Sequence, residues 1–123
     1  MFIAQPLAGP SRWDQDGSVL SLTADGANRQ FRYESPKAEI AVLGIRKDSV
    51  FFAGKKIGAK YSGTAYAFAA SCKPRGYQVN GDVSDDEKQI TLRGKAPELG
   101  AGCKIVGYRD AVLLLKYLPS EQK

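Results

Sequence analysis

The chain has 123 residues, with 18 Lys plus Arg against 13 Asp plus Glu, no histidine and a net charge of +5. A hydrophobic content of 43% and the lack of any run of about 20 apolar residues point to a single globular domain, and they exclude disorder over the whole length and a membrane-spanning helix. Without histidine, no Ser-His-Asp or Cys-His nucleophile can be assembled, and two cysteines alone cannot complete a zinc site. No cofactor and no metal are therefore expected.

The first dozen residues, with Pro6 and Pro10, read as a loose arm, residues 13–118 as one β-domain, and 119–123 as a tail. Between the ends the hydrophobic period is two. In SVLSLTA, Leu20 and Leu22 alternate with Val19, Ser21 and Thr23, and in RQFRYES, Phe31 and Tyr33 alternate with Gln30, Arg32 and Glu34. The intervening Asp25–Asn28 supplies turn residues, so these two segments form a hairpin. Next come a strand over Glu39–Ile45, the turn RKDS, the strand VFFAG, and a turn over Lys55–Gly58. The long strand KYSGTAYAFA follows. Its Tyr61, Gly63, Ala65 and Ala67 share one face, and Ser62, Thr64, Tyr66 and Phe68 share the other. GYQVNGDV puts Tyr77, Val79 and Val83 on one face. SDDEK turns the chain, and QITLRG turns Ile90 and Leu92 inward. After an irregular KAPELGAG come CKIVGY, a tight Arg109-Asp110 turn and AVLLLKYL.

Eight or nine strands with short connections fit an all-β fold. The first choice is a small antiparallel up-and-down barrel of about eight strands, and the alternative is a β-sandwich. Gly63, Gly81 and Gly107 mark bulges or sharp bends. The small face of the Tyr61–Ala67 strand either leaves room for a ligand inside the barrel or is filled by large residues from neighbouring strands.

Cys72 ends one strand and Cys103 begins another, each beside a Pro- or Gly-containing loop. One disulfide between them, favoured over two reduced thiols, implies an oxidising compartment. The segment MFIAQPLAGPS shows neither a charged n-region nor an apolar h-region, so export implies a signal already removed.

The remaining candidates for chemistry are sparse. Asp14, Asp16, Asp85 and Asp86 are the acids a carboxylate-only hydrolase could recruit, and turn chemistry accounts for them more simply. The basic residues are scattered over turns and are not interleaved with aromatics along one strand face, so nucleic acid is not an expected partner. Candidate binding residues are Trp13, Lys60, Tyr61, Tyr66, Tyr108, Arg109 and Asp110.

The pattern W-x-x-x-G-S-x-x-x-L (Trp13 to Leu22), F-x-Y (Phe31, Tyr33), YSGTAY-x-F (Tyr61 to Phe68), Cys72, SDD (Ser84 to Asp86), L-x-G-x-A-P (Leu92 to Pro97), Cys103 and GYRD (Gly107 to Asp110) resembles a set of small exported proteins of alpha-proteobacteria with no assigned function. Gln15 stands where those proteins carry histidine, and Ala111 where they carry an acid, so no catalytic role carries over. The resemblance implies export and a Cys72–Cys103 pair. A fainter likeness links Gly58–Gly63 to periplasmic inhibitors of C-type lysozyme, disulfide-bearing β-barrels with an S-G-x-[RK]-Y segment. The expectation is a periplasmic or secreted domain that binds a small apolar ligand or an envelope protein without catalysis. The alternatives are an inhibitor of a cell-wall hydrolase, presenting Lys60-Tyr61 or Arg109, and the carboxylate hydrolase.

Overall fold

The computed structural model describes residues 10–119. Most of the expected arm and tail lies outside them. Eight antiparallel strands follow one another around a closed barrel: β1 (Ser11–Gln15), β2 (Ser18–Asp25), β3 (Asn28–Ser35), β4 (Val50–Ile57), β5 (Lys60–Ala67), β6 (Arg75–Val83), β7 (Gln89–Leu99) and β8 (Ile105–Leu118). Each strand pairs with the next, and β1 closes the ring against β8 through Arg12–Leu118, Trp13–Tyr117 and Asp14–Lys116. Closure removes both sheet edges, which the sandwich would have left open. No helix among the described residues is long and apolar enough to cross a membrane.

The expected strand count came close for partly compensating reasons. Ser11–Gln15 is a strand, so the first strand starts inside the expected arm. Glu39–Ile45 is not a strand. It forms a one-turn helix, α1 (Ala38–Ala41), followed by turns that end in Gly44 at φ 88°. The reason is topological: β3 pairs directly with β4, so no edge remains for a strand between them. The IVGY of CKIVGY and AVLLLKYL belong to one 14-residue strand, and the expected Arg109-Asp110 turn is absent. Those residues pair with Ala96 and Lys95 of β7, which runs through the stretch expected to be irregular. The chain reverses instead at Gly100–Lys104, where Gly102 and Cys103 have φ of 70° and 62°. Likewise β4 continues through Lys55 to Ile57, and the turn is Gly58-Ala59.

Register shifts fall at Val19/Leu20, Phe31/Arg32 and Glu98/Leu99; the last lies beside Gly107, where Val106 is the extra residue, as expected of that glycine, whereas none falls at Gly63 or Gly81. The shift at Phe31/Arg32 matters most. It makes Phe51 an extra residue in β4, so Phe51 and Phe52 are both buried. Gly54 and Gly63 face each other across β4 and β5, and the Phe52 ring lies over both. A Cβ on Gly54 would meet that ring at 2.7 Å, and one on Gly63 would meet it at 3.0 Å. Phe31, Phe52, Leu20, Val79, Ile90, Leu92 and Leu115 are fully buried and fill the barrel at this level. Edge-to-face contacts run from Trp13 through Phe31 and Phe52 to Tyr61. The small face of β5 is thus filled here by its neighbours.

Candidate functional site

The two barrel ends differ. One carries the tight turns Gly26-Ala27 and Gly58-Ala59 and the connection Ser84–Lys88. Tyr61 seals this end from inside. Burial raises the pKa of its hydroxyl, and the neighbouring Arg29 guanidinium opposes the shift. The other end carries the Asp16-Gly17 turn and three longer connections, residues 36–49, 68–74 and 100–104. The disulfide expected from the sequence lies here. Cys72 and Cys103, 31 residues apart with Cα atoms 5.7 Å apart, tie the second of these connections to the third.

Between these loops and the packed interior lies a cavity of about 380 Å³, within the size range of small-molecule sites. Its inner wall is the top of the core: Phe51, Ala67, Ala96 and Leu113. Two inward tyrosines, Tyr33 and Tyr77, face it together with Arg109, Glu98 and Gln15, and Tyr66, from the opposite face of β5, also contributes to the lining. Residues 36–49 cross one side as a strap and contribute Ile40, Leu43 and Ile45, while Val42 stays exposed. The foot of the strap is held by Ser18, the one buried non-aromatic polar residue among the described residues. Its hydroxyl accepts a 3.0 Å hydrogen bond from the Lys37 backbone N–H. The Lys37 ammonium donates at 2.9 Å to Asp16. Asp16 and Gly17 have φ of 52° and 92°, the geometry of a two-residue hairpin turn. That accounts for D-G-S in chain order: two turn residues, then the anchor for the strap.

Tyr33 is buried, and its hydroxyl is pushed up to about 12 by that burial, with Tyr77 adding to the shift. Burial also raises Tyr77, and the Arg109 charge opposes this. The phenols therefore stay neutral at physiological pH and serve as hydrogen-bond donors and acceptors.

Of the candidate binding residues, Tyr66 and Arg109 line the cavity. Trp13 is core, edge-on to Phe31 and Tyr117, with its indole N–H donating to Ser11 at 2.9 Å. Tyr61 is 3% exposed at the opposite end. Lys60 pairs with Asp82 at 2.6 Å on the outer wall, and Asp110 pairs with Lys95 there. Tyr108 is exposed on the outside of β8. No protruding tip carries Arg109, and Lys60 has no exposed Tyr61 beside it, so the geometry assumed for a hydrolase inhibitor is absent. The four acids do not converge. Asp14 lies on β1 and Asp16 in the mouth turn, whereas Asp85 and Asp86 lie in the connection at the far end.

Sequence reasoning missed Tyr33, Tyr77, Phe68 and Glu98 as cavity residues. Phe68 shares the outer face of β5 by alternation. The strand ends at Ala67, however, and Phe68 turns over the mouth to pack edge-on against Tyr33, ring centroids 6.4 Å apart. Tyr33 and Tyr77 carried a usable signal, being inward-facing aromatics near the ends of their strands.

No family model matches the chain, and no curated protein matches it in sequence. A solved structure does match in shape. The crystal structure of the rhizavidin–biotin complex aligns at a TM-score of 0.60 and 14% identity, over 94% of this chain and 97% of that one. At that identity the likeness shows the fold: this is a barrel of the same architecture.

Proposed function

We propose that the protein captures a small molecule in the barrel mouth without transforming it. One observation carries the reading. The interior is packed solid from Tyr61 to Leu113, yet above it lies a cavity lined by an apolar floor, the neutral phenols of Tyr33 and Tyr77 and the Arg109 guanidinium. Such a lining supplies apolar contact together with a few directed polar groups, which is what small-molecule recognition needs. The rhizavidin barrel, crystallised with biotin, supports a binding role for this architecture. The loop-end disulfide and the resemblance to exported alpha-proteobacterial proteins support a site of action in the periplasm or outside the cell.

The test compares the wild type with Ala67→Trp, which fills the cavity from its wall. Biotin is titrated calorimetrically, and the neutral dye N-phenyl-1-naphthylamine is titrated by fluorescence. Saturable binding of at least one probe, lost in the variant, is expected. No saturable binding of either probe, or binding unchanged by the tryptophan, ends this reading. Export is checked by fractionating the native host, and a protein confined to the cytosol contradicts it.

A second reading, docking of a protein on the barrel wall, rests on the exposed Val106, Tyr108, Val112 and Leu114, which flank the Lys95–Asp110 ion pair on the outer face of β8. Sedimentation velocity should then show an associated partner that Val112→Lys releases. A monomer with nothing attached removes this reading.

A further inference from the structure

We propose, building on the mouth-binding reading above, that the ligand is an organic anion: an apolar ring or chain bearing one carboxylate, sulfonate or phosphate, with the anionic group received by Arg109. Three observations converge on this class.

The first is the position of Arg109. It pairs in register with Ala96, a small buried residue, so its side chain leaves β8 over an open part of the cavity wall. It lies near enough to the Tyr77 hydroxyl for its charge to act on it. A guanidinium with a phenol beside it offers several donors in a fixed fork to one anionic group.

The second is that Arg109 has no acid partner among the described residues. The five ion pairs there are Arg12–Glu34, Lys37–Asp16, Lys47–Asp48, Lys60–Asp82 and Lys95–Asp110. The other cation on the cavity wall, Lys37, is thus engaged by Asp16. Glu98, the remaining acid there, is one pleat nearer the rim and leans over Gly107 instead, its Oε1 3.3 Å from where a Cβ would stand on that residue.

The third is the field along the barrel axis. The mouth connections carry Lys37, Arg46, Lys47, Lys73 and Lys104 against Asp16, Glu39 and Asp48. At the far end, Ser84–Lys88 carries Asp85, Asp86 and Glu87 against Lys88. The mouth connections are thus net basic, whereas at the sealed end the acids of Ser84–Lys88 stand alongside Lys55, Lys56 and Lys60 of the neighbouring strands; the basic mouth draws an anion toward the cavity. The body of the ligand then lies against Phe51 and Phe68, beneath Leu43 and Ile45 of the strap.

The experiment pairs two dyes that share an apolar body. 1-Anilinonaphthalene-8-sulfonate carries the anion, and N-phenyl-1-naphthylamine lacks it. Both are titrated by fluorescence against wild type, Arg109→Gln and Arg109→Lys, with thermal unfolding confirming that each variant is folded. In the wild type the sulfonate should bind about tenfold or more tightly than the neutral dye. Arg109→Gln should abolish that preference and leave the neutral dye unaffected, and Arg109→Lys should restore part of it. Added salt should weaken only the sulfonate. Equal affinities in the wild type, or a preference that survives Arg109→Gln, overturn the anion assignment and leave the mouth reading standing. Binding of neither dye overturns the anion assignment, and if biotin does not bind either, the mouth reading falls with it.

Discussion

At the sealed end of the barrel the strands run into tight turns, and the interior is filled by Phe31, Phe52, Leu20 and Ile90, all fully buried. At the mouth the same strands continue into longer loops, and Tyr33, Tyr77 and Arg109 stand around open space. The difference comes from side-chain size on equivalent positions. On β5 the inward face is Tyr61, Gly63, Ala65 and Ala67 from the sealed end upward. Phe52 occupies the room left by Gly63. Ala67 instead lines the cavity, together with Phe51 and Leu113 of the wall and Phe68, Leu43 and Ile45 of the loops. The tightest packing thus belongs to one end and, on the proposed reading, recognition to the other, so core and cavity-lining substitutions should separate into two classes.

Phe52→Ala should have the largest effect, destabilising by about 3–5 kcal/mol, because it empties the space above two glycines that cannot refill it. Urea unfolding measures this, and a loss below about 1 kcal/mol would show that the sealed end is not the stable one. Replacing both cysteines by serine comes next. Opening a loop of about 32 residues should cost about 3.5–4 kcal/mol on the chain-entropy estimate and should loosen the mouth connections selectively. Hydrogen exchange that rises equally at both ends would contradict the selectivity.

Tyr33 joins the two regions and gives a pH signature. An unfolded phenol titrates near 10, whereas this one is held at about 12, so the native state keeps the proton more tightly. Its contribution is therefore complete below pH 10 and is lost as pH rises toward 12, by about 2–3 kcal/mol. Unfolding free energies at pH 9 and 12 should differ less in Tyr33→Phe than in wild type, and an identical slope refutes the assignment. Ser18→Ala strands the Lys37 N–H and should cost about 1–3 kcal/mol. It should also free the strap, read as faster exchange across residues 36–49. Arg109→Gln sits at the bottom of the scale, within about 0.5 kcal/mol of wild type, because the side chain is exposed and unpaired among the described residues. A large destabilisation there would move Arg109 from the recognition class to the structural one.

Period-two alternation made most of the barrel legible in the sequence. Leu20, Phe31, Tyr33, Val79, Ile90 and Leu92 fall on the inner face that their spacing assigns, and the Cys72–Cys103 bridge forms as expected. These are local properties, since a strand carries its two faces with it wherever it is placed. What the alternation could not show is which apolar segment finds a partner. Glu39–Ile45 has strand-like composition, but β3 and β4 pair directly and closure leaves no free edge, so it became the strap. Arg109 and Asp110 have turn-like composition, but Ala96 and Lys95 lie opposite, so they stayed extended and one of them came to face the cavity. The strands, their faces and the covalent tie were thus written in the chain itself. The open mouth and its lining were decided only when eight strands closed into a ring, because empty space depends on neighbours that are distant in sequence.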